Sequence, residues 1–244
     1  MTEQQWLKSV AVMKMTLFVA SHDGMVRRKA GRRKLRLFGC FSCRQLWEQM
    51  TDARSQHAVE VAERLADDRA APAEVKRAAE QATMARVAAI NLANQGGIQY
   101  RRDAEARGWL SNDEWTAAGA ATAVLDTAWR SFTCRTLFYW RTESDLARTL
   151  SPARRRAQAN ALRCICGNPF RPVEVDPSWL TWNEGTVRRV ARSIYDDRAW
   201  DQLPVLGDAL EDAGCTHEGM LAHCRGPGPH TRGCWVMDLL LGLG

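Results

Sequence analysis

The sequence predicts an all-α protein: a multi-helix bundle followed by a compact C-terminal helical module. Apolar residues recur at helical spacing through almost every periodic segment, and no alternating β-branched run or Asn-Gly hairpin appears. The length of 244 residues, with 45% hydrophobic residues and 10 Trp, is enough for one large domain or two small ones and argues against disorder. We expect an N-terminal bundle over residues 1–150 and a second module over 151–244.

The N-terminal segment predicts two helices separated by a break. The first runs from about Glu3 to Val19, and the glycine-containing basic stretch Asp23–Arg33 interrupts the pattern. The second spans Lys34–Met50 with apolar positions at helical spacing. Thr51 or Asp52 then caps a third helix, because either side chain accepts a hydrogen bond from a free backbone N–H.

Alanine dominates the next predicted helix, which begins at Pro72 and continues through Leu92. Gly96-Gly97 is a weak point after it. Ser111–Glu114 has the S-x-x-E pattern of a capping box. The long apolar seam Trp115–Tyr139 follows at 3,4 spacing and predicts a helix that packs along a neighbour.

The last part of the chain predicts shorter helices. Ser151-Pro152 starts one as N-cap and first residue, and it ends near Gly167. The proline- and tryptophan-containing segment Gly167–Trp182 is predicted to be irregular. Four short helices follow, at Glu184–Tyr195, Ala199–Asp212, Thr216–Cys224 and Arg232–Leu241.

The segment Gly226–His230 alternates glycine with proline, which predicts a rigid, tight connection between the last two helices. The alternative is a loop presented to a partner.

Positive charge is concentrated at the N-terminus. The chain carries a net +6, but residues 1–50 alone hold ten basic and three acidic residues, and the rest is close to neutral. Such a block attracts phosphates, so it is a candidate nucleic-acid contact, with a solvated loop and helix start as the alternative. Its residues are Arg27, Arg28, Lys29, Arg32, Arg33, Lys34 and Arg36.

The eight cysteines favour a reducing compartment over a disulfide framework. The apolar run Val10–Ala20 contains Lys14 and follows no basic segment, so it does not resemble a secretory signal. The apolar run Trp235–Leu241 is far too short to span a bilayer. We therefore expect a cytoplasmic protein without a membrane partner, with its thiols reduced or metal-bound.

Cysteine and histidine cluster near the C-terminus, which suggests zinc. The candidate ligands are His223, Cys224, His230, Cys234 and Cys215. Cys215 and His223 stand roughly 12 Å apart if a helix joins them, so they do not easily share an ion. His223 or Cys224 with His230 and Cys234 forms a feasible trio, completed by Cys215, Cys40/Cys43, Cys164/Cys166 or water. The alternative is that these residues fill core and turn positions.

No local catalytic motif is present. The chain has no P-loop, G-x-G-x-x-G, G-x-S-x-G or H-E-x-x-H pattern, which disfavours nucleotide-dependent, α/β-hydrolase and zincin chemistry. Cys40-Phe41-Ser42-Cys43 is a C-x-x-C, but no strands surround it as a thioredoxin-like site requires. Buried helical cysteines explain it better.

Both ends of the chain resemble an uncharacterised bacterial family that is much expanded in planctomycetes. The segments are TEQQWL and RKLRLFGCFSCRQLW at the start, then GNPFRPVEVDPSWLTWNEGTV, IYDDRAWDQLPVLGDALEDAGC and HCRGPGPHTRGCWVMDLLLG. Residues 9–33 differ from the family pattern, in which the first helix leads directly into RKLRLF. The resemblance implies an intracellular helical protein and transfers no catalytic residue.

These observations favour a non-enzymatic role as an intracellular protein-interaction or scaffold module, with zinc as its candidate cofactor. Trp179 and Trp182 are candidate anchors for a protein partner, or else for the core. Nucleic-acid binding through the basic block is the first alternative. A metal-dependent enzyme built on the C-terminal histidines and cysteines is the second, and it requires an open coordination position with an acid or base within reach of bound water. Asp238, four residues beyond Cys234, is a candidate second-shell residue of the metal site.

Overall fold

The computed structural model describes residues 1–95 and 152–243, and the all-α prediction is confirmed. Those residues form ten α-helices and three short 3-10 helices, with no strand among them. The α-helices are α1 Glu3–Lys8, α2 Val12–Ser21, α3 Lys29–Arg44, α4 Ala53–Ala66, α5 Pro72–Gln95, α6 Pro152–Cys166, α7 Pro177–Asp197, α8 Leu203–Asp212, α9 Glu218–Arg225 and α10 Trp235–Leu241. The 3-10 helices are His22–Arg27, Trp47–Gln49 and Trp200–Gln202.

The chain groups into two compact units that do not follow sequence order. Unit 1 contains residues 1–34 and 152–244, and unit 2 contains 35–151. The boundary between them falls inside α3. The expected domain boundary near residue 150 lies outside the described residues and stays a prediction.

The predicted first helix is two helices, and an arginine from α6 explains where the first one ends. Thr2 and Gln5 form a capping box at its start. Near its end, the Arg163 guanidinium donates hydrogen bonds to the carbonyl oxygens of Trp6, at 2.9 Å, and of Ser9. These carbonyls would otherwise accept bonds from the next helical turn, so α1 ends at Lys8 and α2 starts at Val12.

The predicted break over Asp23–Arg33 is shorter than expected, because α3 already begins at Lys29. Gly31 makes this early start feasible. A Cβ atom there would stand 1.9 Å from the carbonyl oxygen of Met25, so only glycine fits against the preceding 3-10 helix. The helix also ends earlier than expected, at Arg44 rather than Met50.

In the described part of unit 2, α4 packs against α5. Asp52 caps α4 as predicted, accepting a hydrogen bond from the Arg54 N–H at 2.9 Å. Pro72 is the first residue of α5, also as predicted. The two helices meet through small buried side chains, which permit close approach. These include Ala58, Ala62, Ala78 and Ala82.

The C-terminal helices of unit 1 follow the predicted order, with one earlier start. Asp176 caps α7, so this helix begins inside the segment that was expected to be irregular. Its backbone is non-helical at Trp182–Gly185, close to the predicted start at Glu184. Helices α8 and α10 lie within their predicted segments, and α9 ends one residue beyond its own.

Several expectations fall outside the described residues. They are the Gly96-Gly97 break, the capping box at Ser111–Glu114, the apolar seam Trp115–Tyr139 and the Ser151 N-cap. They stay predictions.

A buried ion pair joins the two sequence segments of unit 1. The Arg33 guanidinium donates to Asp238 Oδ2 at 2.6 Å and to the Tyr195 hydroxyl oxygen at 2.7 Å, and all three residues are buried. Burial raises the pKa of Asp238 to about 6, although the charges of Arg33 and Lys34 oppose that rise. Its Oδ1 accepts no hydrogen bond within the described part of the chain. Arg33 is therefore the main compensation for this buried carboxylate.

None of the helices that the structure describes combines the length and apolar character needed to cross a lipid bilayer.

The buried ion pair predicts that substituting Arg33 lowers the free energy of unfolding much more than substituting its neighbour Arg32. Replacing Arg33 with Met leaves Asp238 buried without its partner, and we expect a loss of about 3–5 kcal/mol in unfolding free energy. Arg32→Met is the matched control, since Arg32 is only half-buried and its hydrogen bond to the Arg27 carbonyl is open to solvent. Its expected loss is about 1 kcal/mol or less.

Urea denaturation followed by tryptophan fluorescence measures both losses. The double variant R33M/D238N removes the uncompensated carboxylate and should recover part of the R33M loss. Equal losses for R33M and R32M would show that the pair contributes no special stability.

Candidate metal centre

Helices α6, α9 and α10 of unit 1, and the loop between α9 and α10, bring two cysteines and two histidines together. Cys164 lies near the end of α6, and His223 lies in the last turn of α9. His230 lies in the loop that follows α9, and Cys234 is the N-cap of α10. One ligand atom from each residue lies within 4.8 Å of the others, and this is a set that could hold a metal ion.

Interatomic distances give the shape of the group. His223 Nε2 is 3.2 Å from Cys234 Sγ, and Cys164 Sγ is 4.0 Å from His230 Nδ1. His230 Nε2 lies 3.1 Å from the Gly226 carbonyl oxygen, to which it donates when it carries the proton. In that tautomer Nδ1 carries the lone pair and faces the group, as in many metal sites where a backbone carbonyl orients a histidine ligand.

The loop between α9 and α10 is built around glycine and contains a cis peptide bond at Gly228-Pro229. Gly228 has a φ of +80°, and a Cβ there would stand 2.9 Å from the His230 backbone nitrogen. Only glycine fits so close to that backbone. The turn predicted at Gly226–His230 is therefore tight, and it holds His230 beside Cys164.

Ring packing fixes His223 and connects the group to the start of α10. The His223 ring lies 4.9 Å from the His230 ring and 5.5 Å from the Trp235 ring, centroid to centroid. Trp235 in turn packs over Gly167, whose φ is +69°. The Gly167 carbonyl accepts a hydrogen bond from the Trp6 indole at 3.2 Å, so α1 supports the same region.

The electrostatics of the group favour a thiolate at Cys234. Burial by itself raises the pKa of Cys234, but hydrogen bonds with Cys164, His223 and His230 outweigh it and lower the pKa well below its usual value; the His230 ring donates to the sulfur in its protonated form, which carries a proton on both nitrogens. The hydrogen bond to Cys234 raises the pKa of Cys164, and burial adds to the rise. One cysteine is therefore the acceptor and the other the donor, and a thiolate is the form in which cysteine ligates metal.

Two of the five predicted ligands stay outside the group. Cys224 follows His223 directly, and successive helical side chains point about 100° apart, so Cys224 faces Gly207 of α8 instead. Cys215 is buried in the hydrophobic core. Burial raises the pKa of Cys224 to about 12 and also raises the pKa of Cys215, which suits packed thiols.

Cys164 completes the group, although the sequence offered it only as one of several sources for a fourth ligand. Its signal in the sequence is its pairing with Cys166, two residues apart near the end of a helix. Spacing alone could not select it, since Cys164 and His230 are separated by 66 residues. Cys40 and Cys43 lie in the buried core of unit 2, as the core interpretation of the C-x-x-C expected.

The other predicted site residues divide between surface and core. Within the basic block, Arg27, Arg28 and Lys29 are exposed, whereas Arg33 is buried in its ion pair. Arg32, Lys34 and Arg36 are half-buried. Arg33 is thus not available to a nucleic acid, because its guanidinium is already used inside unit 1.

The two candidate partner anchors lie at the edge of the core. Trp179 and Trp182 are partly buried and pack against the hydrophobic core of unit 1, so part of each ring stays accessible.

Comparison with known proteins gives no match to a family model, a curated protein or a solved structure. The resemblance to the planctomycete family stays a prediction.

The contact of Gly167 with Trp235 predicts that alanine at Gly167 lowers the free energy of unfolding more than alanine at Gly242, a glycine of similar φ. Gly167→Ala adds a Cβ that would stand 3.2 Å from the Trp235 ring, next to His223. Gly242→Ala is the matched control, because its φ is +66° and no atom lies within 4 Å of the added Cβ. The left-handed conformation costs both variants about 1–2 kcal/mol, and crowding costs G167A about 1–3 kcal/mol more. Urea denaturation gives the difference, and equal losses would mean that Trp235 moves aside freely.

Proposed function

We propose that the chain is a protein-interaction module whose C-terminal helices are stabilised by one zinc ion. The observation that carries the zinc proposal is the convergence of Cys164, His223, His230 and Cys234 within 4.8 Å. Two thiolates and two imidazoles are a common ligand set of structural zinc sites.

The ligand separations need little adjustment to fit zinc. With Zn–S near 2.3 Å and Zn–N near 2.0 Å, a tetrahedron places its ligand atoms about 3.3–3.8 Å apart. The His223–Cys234 and Cys164–His230 separations, 3.2 Å and 4.0 Å, lie within a few tenths of an ångström of this range. The largest separation in the group, at most 4.8 Å, requires a shift of about 1 Å.

The ligand arrangement supports a structural role more than a catalytic one. Four protein ligands fill a tetrahedron, whereas a catalytic zinc keeps one position for water or substrate. The enzyme alternative requires an open coordination position and an acid or base within reach of a metal-bound water. Asp238, the candidate second-shell acid, is held at Oδ2 by Arg33, so it gives this alternative no support.

Zinc would add to the hydrogen bonds and ring contacts that join these elements at the group itself. A net hydrogen bond contributes about 1 kcal/mol, whereas a structural zinc ion contributes about 10 kcal/mol or more in small domains. The ion would join α6, α9, the following loop and α10 at one point. Such a rigid base suits a module that presents a surface to a partner.

The interaction role is supported by accessible apolar side chains near the N-terminus of unit 1. Leu7, Val10 and Leu17 are each about half exposed, and Trp179 and Trp182 are partly accessible. A cytoplasmic location is part of the same proposal, and the seven free thiols in the described residues support it, because disulfides are rare in that compartment. The basic block gives nucleic-acid binding less support, because Arg33 is buried.

Zinc stoichiometry tests the metal proposal directly. We expect native mass spectrometry of protein purified without chelator or metal-affinity tag to show one zinc ion per chain. Chelation should lower the melting temperature by at least about 10 °C, because ligand binding free energy is then lost from folding. Cys164→Ala and Cys234→Ala should abolish the zinc adduct.

Cys215→Ala and Cys224→Ala are the matched controls, since both remove a buried thiol outside the group. They should keep zinc. A metal-free wild type whose melting temperature is insensitive to chelator would overturn the proposal and leave a hydrogen-bonded cluster of thiols and imidazoles.

A further inference from the structure

A groove opens where α7 changes direction. The helix runs from Pro177 to Asp197, but its backbone leaves helical geometry at Trp182–Gly185. The groove beside this kink is lined by Leu180 and Thr181, which precede the kink, and by residues of the helical turns that follow it. Its charged lining residues are Glu184, Arg188, Arg189 and Arg192.

The kink is a strained backbone feature that local hydrogen bonds hold in place. Asn183, Glu184 and Gly185 have φ values of 45°, 56° and 78°, three consecutive residues in the left-handed region, which favours glycine. The Thr186 hydroxyl donates to the Asn183 carbonyl at 2.7 Å and accepts from Arg189 Nη2 at 3.0 Å. The kink places Leu180 beside the arginines of the next turns.

The groove carries positive charge that the described residues do not neutralise. Arg188 is exposed and Arg192 is half-buried, and neither makes an ion pair or hydrogen bond with any residue in the described ranges. They lie one helical turn apart, where like charges repel. Within those ranges, Glu184 is the one acid that lines the groove. An anion is the natural ligand for such an arrangement, because guanidinium groups bind carboxylates through paired hydrogen bonds.

We propose that this groove binds an acidic peptide segment of a partner protein, which rests on the proposed interaction role and names its partner chemistry. Arg188 and Arg192 are about 6 Å apart along the helix. Carboxylates on alternate residues of an extended peptide repeat at about 6.7 Å, a close match. Leu180, which also lines the groove, supplies an apolar contact beside these charges.

The extent of positive charge favours a peptide over a nucleic acid. Asp196 and Asp197, both exposed, follow one turn after Arg192 and end the positive strip. Three arginines over little more than one helical turn suit two or three carboxylates. Nucleic-acid binding relies on more phosphate contacts than these three arginines supply.

Fluorescence anisotropy with a defined probe tests the proposal. The probe is a fluorescein-labelled peptide of six Glu-Thr repeats, titrated with the full chain at fixed ionic strength. We expect saturable binding, and we expect Arg188→Gln with Arg192→Gln to weaken it at least about tenfold. Arg27→Gln with Arg28→Gln is the matched control: it removes the same charge from exposed positions in unit 1 and should change affinity less than about twofold.

Three results would overturn the groove proposal: no saturable binding, equal weakening by both double variants, or tighter binding of a dT12 oligonucleotide than of the peptide. Zinc content is measured by native mass spectrometry on the same samples. A chain that holds zinc and fails to bind the peptide refutes the groove alone. A chain that binds the peptide without zinc refutes the metal centre alone.

Discussion

Unit 1 depends on a charge pair that closes a long loop of sequence. Arg33 and Asp238 are separated by 205 positions, yet their charged atoms meet at 2.6 Å inside the protein. Removing both charges from water is costly, and it is tolerable only because the geometry is close and Tyr195 accepts a second bond. The pair sets the position of the start of α3, because the Arg33 guanidinium bonds Tyr195 of α7 and Asp238 of α10 together.

The candidate metal centre follows from that packing. Asp238 and Cys234 lie one turn apart at the start of α10, so the side that Arg33 holds also sets where the Cys234 thiol points. Cys164 reaches the same place from α6, and Trp6 of α1 donates to the carbonyl of Gly167 just beyond it. The tight turn at Gly228 then places the His230 ring beside Cys164. The ion pair, the ring contact between His223 and Trp235, and the ligand group all include a residue from the start of α10.

Local signals in the sequence predicted much of the helical framework, because caps and periodicity act within a few residues. Asp52 and Pro72 are examples. The differences came from contacts that periodicity does not encode: Arg163 ends α1 from another helix, and Gly31 lets α3 begin against Met25.

The ligands of the candidate metal centre likewise divide into those that sequence spacing could group and one that it could not select. His223, His230 and Cys234 are close in sequence and could be grouped from their spacing. Cys164 could not be selected, nor Cys224 rejected, without knowing how the helices face one another.

The interruption of unit 1 by residues 35–151 has a consequence for biosynthesis. Arg33 leaves the ribosome 205 residues before Asp238. During that interval Arg33 lacks the carboxylate and the hydroxyl that accept its hydrogen bonds in the folded chain, and Trp6 lacks its acceptor at Gly167. Unit 2 is synthesised whole in the meantime. Residues 1–34 therefore cannot complete their native packing until the last helices of unit 1 have been synthesised, which leaves apolar side chains of this segment exposed for longer than those of a contiguous domain.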